Sequence, residues 1–171
     1  MKKKSIAFYI IVFGLLFFNA KAQNNFLKPT ISLGILVEDL NKSIDFYTNV
    51  VGMLQVREFV IDSNKAKRMG LSKEEKFDIK VLKLENTENA TELKLMSFAK
   101  KTDHSKQKYL PDSNGIRYLT IYVKSLQLVL ERIKKFNIKT LGQTPTMLDE
   151  KRRFVLIQDP DGNFVEFISS E

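Results

Sequence analysis

The stretch Ile31–Gly52, ISLGILVEDLNKSIDFYTNVVG, holds two hydrophobic periods end to end. Ile31, Leu33, Ile35 and Val37 alternate with smaller or polar residues, the period of two that marks a half-buried strand. Asp39 then offers an N-cap, and Leu40, Ile44, Tyr47 and Val51 recur at helical spacing. Gly52 follows as a natural C′ residue. The stretch therefore predicts a strand feeding a helix of about three turns.

The same pattern returns 86 residues later, where Val37, Leu40 and Ile44 are matched by Val123, Leu126 and Leu130. Leu119, Ile121 and Val123 alternate, Ser125 is placed to cap, and Leu126, Val129, Leu130, Ile133 and Phe136 trace a helix ending at Asn137. Strand candidates follow each pair. They are 54–62, 77–85 and 91–98 in the first half, and 138–143, 153–158 and 163–169 in the second. Asp159-Pro160-Asp161-Gly162 has the residues of a tight turn between the last two. The charged stretch 63–75 reads as a loop with a helical turn, and the polar stretch 100–114 as a linker. The expected architecture is α+β: two βαβββ modules, about 31–98 and 117–169, forming one curled-sheet domain with a central cavity.

Composition narrows the chemistry. The 171 residues contain no cysteine, which excludes disulfides, thiolate zinc sites, iron–sulfur clusters and cysteine nucleophiles. His104 is the single histidine, so no site can use several imidazoles. It sits in the linker, where it reads as a solvated loop residue or, more sharply, as a lid residue reaching into the cavity. Met1–Ala22 has the form of a secretory signal: Lys2–Lys4, an apolar run from Ile6 to Phe18, then Ala20-Lys21-Ala22 at the cleavage position. The run is too short to span a bilayer, which needs about 20 residues. Its removal takes away four lysines and no acid, halving the formal net charge of +8. The expected mature chain, 23–171, is periplasmic or secreted, without a stable membrane anchor. Its short basic runs, Lys65–Arg68 and Lys151–Arg153, lack interleaved aromatics, and no nucleic-acid motif or phosphate-cradling glycine loop occurs.

Two segments resemble the vicinal-oxygen-chelate superfamily. Val37–Tyr47 (VEDLNKSIDFY), closing in Val51-Gly52-Met53, is similar to its first strand and helix. Gln158–Phe167 (QDPDGNFVEF) is similar to its last turn and strand. Members include glyoxalase I, extradiol dioxygenases, methylmalonyl-CoA epimerase, fosfomycin-modifying enzymes and bleomycin-binding resistance proteins, and the fold does not choose among them. The resemblance implies four positions facing one divalent ion, which read here Ser32, Glu92, Tyr118 and Glu166. Ser32 and Tyr118 replace the family's usual histidines.

Strand alternation points independently to a shared surface. If the Leu33, Leu93, Leu119 and Val165 faces pack on the helices, the opposite faces carry Ser32, Glu92, Lys94, Tyr118, Tyr122, Phe164 and Glu166. A small molecule bound there would meet Tyr118, Tyr122 and Phe164 as walls and Ser32, Glu92, Lys94 and Glu166 as polar contacts. The leading expectation is small-molecule binding with a degenerate metal site. The alternative is a metal-dependent lyase, isomerase or dioxygenase with Glu92 and Glu166 as ligands. Without a metal, facing carboxylates would raise one another's pKa and leave Glu166 as a candidate general base, unless Lys94 forms a plain ion pair with Glu92. Whether modules pair within one chain or swap in a homodimer is left open.

Overall fold

The computed structural model describes residues 25–100 and 107–170; the expected export segment 1–22 and His104 lie outside the described residues. The first module runs β1 (Ser32–Leu36), α1 (Leu40–Asp45), β2 (Leu54–Ile61), α2 (Ser63–Arg68), β3 (Phe77–Lys83) and β4 (Glu92–Phe98). The second runs β5 (Tyr118–Val123), α3 (Leu126–Lys135), β6 (Thr146–Met147), β7 (Arg152–Gln158) and β8 (Phe164–Ser170). Each makes a four-stranded mixed sheet, ordered β1-β4-β3-β2 and β5-β8-β7-β6, with the first strand parallel to the last. The duplicated α+β architecture is as expected. No helix among the described residues is long and apolar enough to cross a membrane.

Local chemistry explains the helix ends. Asp39 caps α1, its Oδ1 accepting from the backbone N–H of Asn41 and Lys42 at 3.1 Å. From Phe46 to Val51 the helix widens into a π turn, and the Gly52 N–H donates to the Tyr47 carbonyl at 3.1 Å. The wider turn brings Phe46, Tyr47, Val50 and Val51 all into the interior. Gly52, at φ 92°, ends it in the left-handed region that favours glycine. Ser125 occupies the N-cap position of α3, but its side chain makes no capping hydrogen bond.

The strand expected at 138–143 is not formed. A single bridge joins Thr140 to Ile157, and the edge strand shrinks to Thr146–Met147. Gly142 adopts φ 61° and Pro145 has no N–H to donate, so the segment cannot keep an extended ladder.

One apolar core joins the modules. Phe46, Tyr47 and Val50 from the first helix meet Val129 and Ile133 of α3, with Leu93, Leu95, Val165 and Phe167 from the two sheets. The sheet faces expected to pack on helices do so. The opposite face of the first sheet is partly filled by a second cluster, in which Ala66 of α2 meets Ile61, Phe77, Ile79 and Val81.

Candidate functional site

The family-like turn 159–162 is an inter-module clamp. The Asp159 carboxylate accepts from the backbone N–H of Asp161 and Asn163, from Asn163 Nδ2, and from the Tyr47 hydroxyl at 2.9 Å. Asp161 accepts from the Glu38 N–H at 2.9 Å and from the Ser43 hydroxyl at 3.2 Å. The start of α1 is thereby tied to the second sheet. Burial, then the adjacent Asp159 carboxylate, push the Tyr47 hydroxyl well above its usual range. Burial also pushes Asp159 upward, against the hydrogen bonds from Asn163 and Tyr47.

On the face of the first sheet turned away from α1, Glu92 is the centre of a cation cluster. Arg57 NH2 lies 3.0 and 2.9 Å from its two oxygens, Lys94 Nζ 3.7 Å away and Lys83 Nζ 4.0 Å away. The Ser32 hydroxyl donates to it at 3.3 Å. Burial pushes the carboxyl upward, but the hydrogen bond and charge of Arg57, with Lys94 and Lys83, outweigh it and hold Glu92 below the usual carboxylate range. Glu92 is therefore held ionised rather than proton-loaded, and its pairing with Lys94 is the ion-pair outcome.

Arg57 and Lys83 were missed by sequence reasoning. Register places Lys83 beside Glu92, one step beyond the Leu82–Leu93 pair, a signal that a correctly paired β3–β4 hairpin would have supplied. Arg57 had no such signal. A bulge between Gln55 and Arg57 shifts the β2 register so that Arg57 faces the same side as its partner Val81.

The second sheet carries Tyr118, Thr120, Tyr122, Phe164 and Glu166 on its corresponding face. Tyr118 and Tyr122 are 48% and 71% exposed, as an open surface requires, whereas Phe164 is buried at 1%. It borders the cleft between the β1 and β5 edges. Thr120 pairs with Glu166 in register and donates its hydroxyl to that carboxylate.

Register also separates the two expected carboxylate ligands. Ser32 pairs with Glu92, but Tyr118, its counterpart 86 residues on, pairs with Phe164. Glu166 pairs with Thr120, whose counterpart Gly34 pairs with Lys94. Lys94, not Glu92, thus stands at the position equivalent to Glu166. An ammonium group there opposes a cation, and Glu92 is already neutralised by its neighbours. The donor set does not fit a divalent ion, and among the described residues no three carboxylate or imidazole groups converge to hold one.

Between the β1 and β5 edges lies a cleft of about 230 Å³, bordered by Leu33–Leu36, Ile116–Leu119, Asn163 and Phe164. Arg117 enters its wall. Its Nε donates to the Leu110 carbonyl at 2.8 Å, its guanidinium carbon lies 5.8 Å from the Phe164 ring centre, and its NH2 is buried with no hydrogen-bond partner. Neither Glu92 nor Glu166 borders this cleft.

Comparison with known proteins agrees with this architecture. An uncharacterised Bacillus subtilis (strain 168) protein, YwbC, is 25% identical over 134 residues, covering 78% of this chain and 91% of its own. A crystal structure of a glyoxalase-family protein from Bacillus cereus superposes with TM-score 0.70 at 16% identity, over 88% of this chain and 99% of the other. TnmS3, an antibiotic binding protein from Streptomyces sp. CB03234, superposes with TM-score 0.54 at 16% identity, over 82% and 93%. The model of the Glyoxalase/Bleomycin resistance protein/Dioxygenase superfamily matches residues 30–167, both modules and the turn that clamps them, and the chain belongs to that superfamily.

Proposed function

We propose that the chain is an exported protein that binds a small organic molecule between its two modules without the help of a metal ion. The cleft bordered by Leu33–Leu36, Arg117, Tyr118 and Phe164 carries the binding part of this reading, and Lys94 at the position equivalent to Glu166, with Glu92 already engaged by Arg57, carries the metal-free part. A site so constituted disfavours cation chemistry and leaves recognition to shape, hydrogen bonds and aromatic contact. The orphaned Arg117 NH2 beside the cleft is a donor in want of an acceptor, which a ligand carbonyl or carboxylate would supply after a small side-chain shift. An antibiotic-binding protein shares the fold, which supports the class of function by analogy alone.

The test is a thermal-shift screen of chelator-treated mature protein against small aromatic and amphipathic carbonyl compounds. A ligand at a hundredfold excess over its Kd stabilises the fold by about 2.7 kcal/mol. Arg117→Met should abolish that shift while leaving the unliganded protein folded. Stabilisers that act only after a divalent metal is added would instead favour the enzyme reading, with Glu166 as base or ligand.

A further inference from the structure

The two sheets are covered unequally on the faces turned away from α1 and α3. In the first, Ala66 of α2 is completely buried against Phe77, Ile79 and Val81, and apolar side chains fill the space. In the second, the cover is the connecting segment 107–112, held at two points. Gln158 Nε2 donates to the Gln107 carbonyl and Arg117 Nε to the Leu110 carbonyl, each at 2.8 Å. Beneath this segment is a cavity of about 680 Å³. Leu156 and Phe164 on the sheet form its floor, Tyr109 and Leu110 its roof, and Leu141 a side wall.

Its size falls in the range of about 300–1,000 Å³ typical of small-molecule sites. The side wall is braced: Thr144 Oγ1 donates to the Leu141 carbonyl at 2.7 Å and accepts from the Leu156 N–H at 3.4 Å. Lys108 and Lys139 border the cavity, and no acidic residue does so among the described residues. The nearby Asp112 carboxylate is occupied by the backbone N–H groups of Lys108 and Tyr109, at 2.8 Å each.

We propose that this second cavity binds an amphipathic anion, its hydrocarbon body against Leu156, Phe164 and Leu110 and its carboxylate toward Lys108 and Lys139. Apolar walls supply non-directional affinity, and the two ammonium groups select the sign of the head group. The assignment extends the small-molecule reading to a different cavity and does not depend on the inter-module cleft.

Titration calorimetry of the full mature chain with decanoate, decanol and decyltrimethylammonium, below their micelle concentrations, tests it. Decanoate should bind saturably at one per chain and decanol about tenfold more weakly, and the cation should not bind. Leu156→Trp, which fills the floor, should abolish decanoate binding. Lys139→Glu, on the exposed rim, should weaken decanoate about tenfold and leave decanol unchanged, and it serves alone if the tryptophan variant loses its melting transition. Equal affinity for anion and cation would overturn the proposal, as would decanoate binding that survives both variants. Decanoate binding lost in Leu36→Asp but kept in Leu156→Trp would move the ligand to the cleft, sinking this assignment while sparing the broader one.

Discussion

Lys94 in the first sheet stands where Glu166 stands in the second, each paired in register with an equivalent residue of the parallel edge strand, Gly34 and Thr120. The chain should therefore leave purification with well under one equivalent of zinc, nickel or iron. Changing Ser32 and Tyr118 to His together with Lys94→Glu should create a site that retains metal through dialysis, because imidazole and carboxylate replace two hydroxyls and a repelling ammonium. Ser32→His with Tyr118→His alone should retain less. Stoichiometric, tightly held metal in the natural protein would show that ligands have been misassigned.

The Arg57–Glu92 pair gives a pH dependence with a defined sign. Glu92 is held below its ordinary 4.5, so the folded state binds its proton less readily than the unfolded chain does. Its stabilising contribution is complete above 4.5 and is lost as pH falls through the lower folded value. Urea denaturation across that acid range should show a shallower loss in Glu92→Gln than in wild type. Arg57→Met should bring the Glu92 titration back toward 4.5, readable by carboxyl NMR. An unchanged Glu92 titration in that variant would mean that the guanidinium is not what holds it down.

Much of the fold was legible because its period changes from two to near four at Asp39 and again at Ser125, and the change repeats 86 residues apart. The tight turn at 159–162 was legible for the same local reason. Its second task was not, since no residue type announces that Asp161 will accept from Glu38 and Ser43 across the module boundary. The site was harder still. Counting alternate residues from Gln55 puts Arg57 on the wrong face of β2, and only the bulge between them turns it toward Glu92. The equivalence of Lys94 and Glu166 was hidden likewise, because it resides in strand register while Glu92 offered a carboxylate only two residues away.

Tyr47→Phe probes the clamp between modules. It removes the hydroxyl that donates to Asp159 at 2.9 Å and nothing of the buried ring. A lost hydrogen bond to a charged group costs about 1.5–3 kcal/mol. Asp159 is already raised, so its contribution to stability is present at low pH and lost as pH rises through the folded value. Losing the tyrosine donor should raise Asp159 further. The deficit of Tyr47→Phe should thus be larger at neutral pH than in acid, measured by chemical denaturation at both. A deficit independent of pH would assign it to packing instead.

Export is checked at the N-terminus. Expressed with its own leader in a bacterium, the chain should be recovered from the periplasm or medium with Gln23 as its first residue, read by intact mass and N-terminal sequencing. Full-length protein beginning at Met1 in a membrane pellet would contradict this.

The segment 107–112, pinned by Gln158 and Arg117, is both the connection between the halves and a wall of the second cavity. If that cavity holds a ligand, covalent continuity is part of its recognition. Two separately produced halves that reassembled into both sheets would lack a tethered roof, and would hold ligand less well in proportion to how freely the severed end moved. Residues inserted or deleted between the modules would act on the wall of that cavity without touching any residue of the paired strands.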